Sequence, residues 1–189
     1  MKNKLTLILL ASLPIFINAS AVADPLDKNY VGIQYGIGRY TEKDISKDFY
    51  PTALVLRLGH YFQPNFSFEG RFAKGLNHDE QFLSEFGPSG LNARFKIDTI
   101  IGLYGTGHIN LSKAASLYGI LGFSSVEATA SVPEFSAASS SETNTSISYG
   151  IGADIVVFRN SAINIEYMQY LIKSDFGLGI IGLGASTRF

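Results

Sequence analysis

The stretch Gly177 to Phe189, Gly-Leu-Gly-Ile-Ile-Gly-Leu-Gly-Ala-Ser-Thr-Arg-Phe, reads as a single β-strand with two unlike faces. Counted back in twos from Phe189, one face holds Thr187, Ala185, Leu183, Ile181 and Gly179 and carries no charge; the other holds Arg188, Ser186, Gly184, Gly182 and Ile180. The first face suits lipid and the second a crowded polar interior. An open edge on such a strand invites aggregation, so it is expected to pair with the first strand of the mature chain and close a barrel.

Working outward, Ala162–Leu171 sets Ile163, Ile165, Tyr167 and Leu171 against Asn164, Glu166 and Met168. Asn29–Tyr40, the expected partner of the closing strand, puts Val31, Ile33, Tyr35 and Ile37 outside and Gly32, Gln34, Gly36 and Gly38 inside, with Arg39 at the membrane rim. In Thr52–Phe62, Leu54, Leu56, Leu58 and Phe62 alternate with Ala53, Val55, Arg57 and Gly59. Phe66–Ala73 is the plainest strand, because Phe66, Phe68 and Phe72 alternate with Ser67, Glu69, Arg71 and Ala73, and a helix would mix those types around its surface.

Phe95–Thr106 is expected to place Phe95, Ile97, Thr99, Ile101 and Leu103 opposite Lys96, Asp98, Gly102 and Tyr104. Ser116–Ala128 is apolar on both faces and leaves its register open; an inward Glu127 would turn Tyr118, Ile120 and Val126 to lipid. Ser146–Phe158 sets Ile147, Tyr149, Ile151, Ala153, Ile155 and Val157 against Ser148, Gly150, Gly152 and Asp154. Between strands, Thr41–Asp48, Lys74–Asn92 and Thr129–Thr145 read as exposed polar loops, the last of low complexity around Ser139-Ser140-Ser141. Connections are longer after odd strands and shorter after even ones.

That alternation is the pattern of an all-β, eight-stranded antiparallel up-and-down transmembrane β-barrel with both termini in the periplasm. Charge placement supports it: Arg57, Arg71, Lys96 and Arg188, against Glu69, Asp98, Asp154 and Glu166, all fall opposite the bulky apolar set. An Arg or Lys on the lipid face near midplane costs about 2 to 4 kcal/mol, so the bias has a physical reason. A soluble lipocalin-type barrel would reverse it, with apolar residues inside. The eight charges are expected to form a balanced interior network in a lumen just wide enough for side chains.

Composition is compatible: 46% of the 189 residues are hydrophobic, with 14 Phe, 10 Tyr and 19 Gly, and glycine with aromatics suits curved sheets. There is no Cys, which excludes a disulfide framework, a thiolate nucleophile and a Cys-ligated zinc. Met1–Ala23 has Lys2 and Lys4, an apolar run from Leu5 to Ile17 and the small-residue ending Ala21-Val22-Ala23, the plan of a cleaved secretory signal peptide. Its removal leaves a barrel domain over 24–189 with 13 basic and 16 acidic residues, a net of −3, and no basic stripe for nucleic acid.

With that leader, the Tyr-Gly-Ile-Gly motifs at Tyr35–Gly38 and Tyr149–Gly152, the Ile165-Glu166-Tyr167 pattern and the final Thr-Arg-Phe, the chain resembles the small OmpA/OmpX-like outer membrane β-barrel proteins, porin-like opacity barrels included. The resemblance spans the mature chain and implies export to the bacterial outer membrane, contact with membrane lipid and lipopolysaccharide, and a terminal Phe189 read by the barrel-assembly machinery. It does not extend to an appended peptidoglycan-binding domain, so no cell-wall anchoring is expected.

The function expected is non-enzymatic, structural or surface-loop binding, with no cofactor or metal and with the loops' partner unnamed. The alternatives are an outer-leaflet lipid-modifying enzyme, since the lipid A palmitoyltransferase and deacylase are small barrels, and a small porin. For enzyme chemistry the sequence offers His78, Asp79 and Ser84 in the second long loop, which also read as solvated loop residues. His60, near the periplasmic end of its strand, and His108, in a periplasmic turn, lie on the wrong side for outer-leaflet lipid, and three dispersed His make a poor metal site.

Overall fold

The computed structural model describes residues 28–83, 90–133 and 139–189, so the signal peptide expected at Met1–Ala23 lies outside the described residues, as does Ser84. The chain forms β1 (Asn29–Glu42), β2 (Thr52–Gln63), β3 (Phe66–Leu83), β4 (Leu91–Asn110), β5 (Ala115–Ser131), β6 (Ser139–Phe158), β7 (Ser161–Ile172) and β8 (Phe176–Arg188). Each pairs antiparallel with the next, and β8 returns to β1 to close the barrel. The closing seam runs from Tyr30 opposite Arg188 to Glu42 opposite Phe176, and Asn29 and Phe189 extend it through two backbone hydrogen bonds of 3.2 and 2.9 Å.

The outer wall is apolar because alternation survives in the middle of every strand. Leu103 is 74% exposed, Ile151 66% and Leu183 61%, each flanked along its strand by inward residues. A continuous belt of that kind far exceeds the few hundred Å² that soluble monomers expose, and lipid is its natural solvent. Half-exposed Tyr35, Tyr50, Tyr149 and Tyr167 mark the belt toward the longer connections, while Phe62, Phe66 and Phe68 mark it toward the termini.

The structure corrects the sequence reading in two connected ways. First, parts of two expected loops are strand. β3 runs ten residues beyond Ala73 to Leu83, and β6 begins at Ser139, so Lys74–Leu83, Leu91–Asn92 and Ser139–Thr145 stand as ribbons above the belt. Polar and small residues predominate in them and apolar ones do not alternate, so the pattern that identifies a strand is missing, although Leu83 is buried.

Second, bulges change the parity of two strands. An irregularity between Ile97 and Thr99 adds a residue to β4, so Phe95 and Ile97 turn into the lumen while Lys96 and Asp98 turn out of it. Another between Gln169 and Leu171 sends Leu171 inside with Tyr170. β5 takes the register opposite to that of an inward Glu127: Glu127 is exposed, and Tyr118, Ile120 and Val126 fill the lumen. His108 lies on β4 rather than in a turn, and it is buried.

Closure has a direct consequence in detergent. Unboiled protein is expected to migrate differently from boiled protein on a denaturing gel, because a sheet without a free edge resists opening. Equal mobility of the two samples would contradict closure.

Candidate functional site in the barrel lumen

The lumen is built in three levels. At its middle, the pleat of β2 and β3 turns Arg57, Glu69 and Arg71 inward, and β7 presents Glu166 from across the barrel. Glu69 Oε2 accepts Nε and Nη2 of Arg57 at 3.0 and 2.9 Å, and its Oε1 accepts Arg71 Nε at 2.5 Å. Arg71 Nη2 donates to Glu166 Oε2 at 2.9 Å, and Nη1 donates to Glu166 Oε1, so that pair is bidentate. Arg57 Nη1 stands 3.7 Å from Glu166 Oε2 and completes a ring of two cations and two anions.

Tyrosines complete the coordination. Tyr30 donates to Glu69 Oε2 at 2.5 Å and Tyr118 to Glu166 Oε2 at 3.0 Å, while Tyr170 OH accepts Arg71 Nη1 at 3.2 Å. The Arg57 guanidinium lies 5.5 Å from the Tyr118 ring centre, and that of Arg71 lies 5.1 Å from Tyr104, within cation–π range. Glycines make the space: a Cβ on Gly59 would stand 2.1 Å from Tyr30 Cζ, and one on Gly152 2.3 Å from Tyr118 Cζ. A side chain at either position would push a ring out of the network.

Toward the termini, Arg188 Nη2 donates to Tyr61 OH at 3.1 Å and its guanidinium covers the Tyr61 ring at 4.6 Å. His108 Nε2 lies 3.2 Å from Thr106 Oγ1 and 3.3 Å from Tyr61 OH. Asp154 sits on the inner face of β6 between Ser116 and Asn164. Toward the long connections the lumen becomes apolar, through Val55, Ile97, Ile100, Met168, Leu178 and their neighbours. Phe49, from the β1–β2 connection, folds under this mouth and is 3% exposed, and Tyr40 stacks on Phe95 with ring centres 4.0 Å apart.

Of the eight charges expected inside, the structure brings Arg57, Glu69, Arg71 and Glu166 into one cluster and places Arg188 and Asp154 nearer the termini. Lys96 and Asp98 pair with each other at 3.1 Å on the part-exposed wall above the belt, where the β4 bulge has turned them. His78 is exposed, and Asp79 Oδ2 accepts Tyr50 N and Gln81 Nε2, each at 2.9 Å, so Asp79 braces the β3 ribbon. His60 bonds Asn29 at the terminal rim through Nδ1, at 2.9 Å. The inward position expected for Tyr104 holds, whereas the other lumen tyrosines and the Phe49 cap went unread, although Tyr30 shares the inward parity of Gly32 and Gln34.

A sheet closed on itself, lipid-facing outside and ion-paired within, defines a transmembrane β-barrel. The chain belongs to the outer membrane protein beta-barrel domain family, whose model matches residues 7–189. In fold it is similar to Ail, the attachment invasion locus protein of Yersinia pestis, with a TM-score of 0.60 at 23% identity over 86% of this chain and 99% of that one. It is also similar to Neisserial surface protein A, with a TM-score of 0.61 at 17% identity over 85% and 97% of the two chains. OprG of Pseudomonas aeruginosa superposes with a TM-score of 0.58 at 12% identity, over 86% and 96%. Among curated proteins none matches this sequence.

Glu69→Ala removes the carboxylate that both arginines share and leaves cationic charge buried, so a loss of about 3–5 kcal/mol is expected. Urea unfolding from lipid vesicles measures it. Lys96→Ala, outside the lumen, is expected to change stability by no more than about 0.5 kcal/mol. An unchanged midpoint for Glu69→Ala would mean that water already reaches Glu69.

Proposed function

We propose that the protein is a non-enzymatic outer membrane barrel whose lumen holds the wall together and whose loop-side ribbons meet the outside. The observation that carries this reading is occlusion at two heights, by the Arg57–Glu69–Arg71–Glu166 cluster and by Phe49 with Phe95 above it. A channel needs a continuous polar path, and eight strands provide little room for one. The termini face the periplasm, and the ribbons of β3–β4 and β5–β6 face outward.

In the same reading Met1–Ala23 is a cleaved signal peptide and the mature chain starts at Asp24. Phe189, 57% exposed at the end of the closing seam, is the aromatic that the assembly machinery recognises. The belt's surroundings are membrane lipid and lipopolysaccharide, and the partner of the ribbons is a surface ligand of the cell's exterior.

Two measurements test this. Mass spectrometry of protein from isolated outer membranes is expected to find Asp24 at the N-terminus; an intact Met1 in that fraction would contradict cleavage. Expression in cells of defined lipid A is expected to leave the lipid A mass profile as it is in cells without the gene. Gain or loss of an acyl chain would overturn the non-enzymatic reading.

A further inference from the structure

The lumen is unevenly filled at its terminal end. Ser116, Asp154, Ala162 and Ser186 share the inward parity of Tyr118, Glu166 and Gly182, yet solvent reaches each of them, whereas Tyr118, Asn164 and Glu166 behind them are buried. These small side chains leave a blind recess on the β5–β8 side of the mouth, floored by the Tyr118 ring where it covers Gly152. The other half of the mouth is full, because Tyr30, Tyr61, His108 and Tyr118 pack in succession with ring centres 5.3 to 5.4 Å apart.

Two neighbouring side chains give the recess unmet polar capacity. Register sets Asp154 of β6 directly opposite Asn164 of β7, and Asn164 opposite Gly184 of β8. Gly184 presents no side chain to obstruct Gln34 of β1, whose Nε2 donates to Asn164 Oδ1 at 2.8 Å; a Cβ on Gly184 would stand 2.5 Å from Gln34 Cγ. That bond fixes the Asn164 amide and leaves Nδ2 on the side away from Gln34. Asn164 is 1% exposed, and its Nδ2 is buried with no partner among the described residues. A buried donor left unmet is costly, so the position favours a ligand that accepts.

Asp154 supplies the opposite capacity. Among the described residues its carboxylate makes no hydrogen bond or ion pair, although Arg57 and Arg188 act on it through space. Arg57 is committed to Glu69 and Tyr118. Arg188 stands at the rim, where Tyr61 engages one of its five N–H donors. The recess therefore offers a bare carboxylate, an amide donor beside it and a cation at its entrance.

We propose that the recess binds one α-amino acid as a zwitterion, its ammonium on Asp154 and its carboxylate on Asn164 Nδ2, with Arg188 as the flanking cation. An α-amino acid carries both charged groups on one carbon, which suits two side chains set opposite each other on paired strands, about 4.5–5.5 Å apart at Cα. A simple amine would leave the Asn164 donor unmet, and a simple carboxylate would meet Asp154 with like charge. The ion-pair cluster closes the floor, so the site holds its ligand and does not pass it on. Only the compartment it faces, the periplasm, rests on the outer membrane reading.

The test titrates L-alanine into the full mature barrel in nonionic detergent micelles and follows the Asn164 side-chain amide by NMR. Wild type is expected to give a saturable shift. Ethylamine and propionate, each of which keeps one of the two charged groups, are expected to bind about tenfold or more weakly, the scale of one lost charged hydrogen bond. Asp154→Asn is expected to weaken L-alanine binding by a similar factor. Lys96→Gln, outside the lumen, is expected to bind L-alanine as wild type does.

The absence of a saturable shift in wild type would overturn the proposal, as would equal binding of ethylamine or propionate. Undiminished binding by Asp154→Asn, or an equal loss in Lys96→Gln, would do the same. Gel mobility before and after boiling shows that each variant is folded; Ser116→Leu, which fills the recess from β5, replaces Asp154→Asn if the latter does not close. The location of the protein in outer membranes is measured separately by fractionation, so failure of the recess leaves the membrane assignment standing.

Discussion

Glu69 is a carboxylate inside a barrel too narrow for bulk water, and most of the architecture follows from satisfying it. An isolated ion there would face a large desolvation penalty, so Glu69 needs cations and donors from several directions. Arg57 comes from the neighbouring strand, Arg71 from its own, and Tyr30 from the strand beside the closing seam. The arginines in turn require Glu166, which β7 presents from the far wall and to which Tyr118 of β5 donates. One carboxylate thus ties β1, β2, β3, β5 and β7 into a single arrangement.

Such a cluster contributes more to register than to net stability. Apolar residues of the same volume often stabilise as well as buried ion pairs do, whereas a cluster with one partner missing is strongly destabilised. In a barrel wall, a slip of one residue in β2, β3 or β7 would exchange Arg57, Glu69 or Glu166 for Leu, Phe or Ile across the wall. The wrong register places a charge in lipid and strands its partner in the lumen. Above the cluster, where the wall leaves the belt, the polarity requirement relaxes and the lumen fills with Val55, Ile97, Ile100 and Leu178 under the Phe49 cap.

The parity of the belt was legible because lipid enforces it: Leu54–Leu58, Phe66–Phe72, Ile147–Ile155 and Ile181–Ala185 alternate without exception. Strand count, closure and the positions of Arg57, Glu69, Arg71 and Glu166 on the inner face follow from that parity. It fails where the rule that generates it stops. Phe95 and Ile97 look lipid-facing by counting back from Leu103, but a bulge inserts one residue between them and the belt. Nothing in Ile97-Asp98-Thr99 announces a bulge, since it is fixed by pairing with β5. The Ser139–Thr145 ribbon escaped for a related reason: its strand form is dictated by the ladder continuing from Ser146, and its composition alone describes a loop.

The closed lumen acts as a brace, with the cluster and the aromatic cap occupying the space that the eight strands enclose. Single-channel recording in planar bilayers tests the central claim, that the Arg57–Glu69–Arg71–Glu166 cluster and the aromatic cap fill the lumen, most directly. The account predicts no steady conductance from the inserted wild-type barrel. A large, stable single-channel current would contradict it, because ions would then be crossing where the structure places paired side chains.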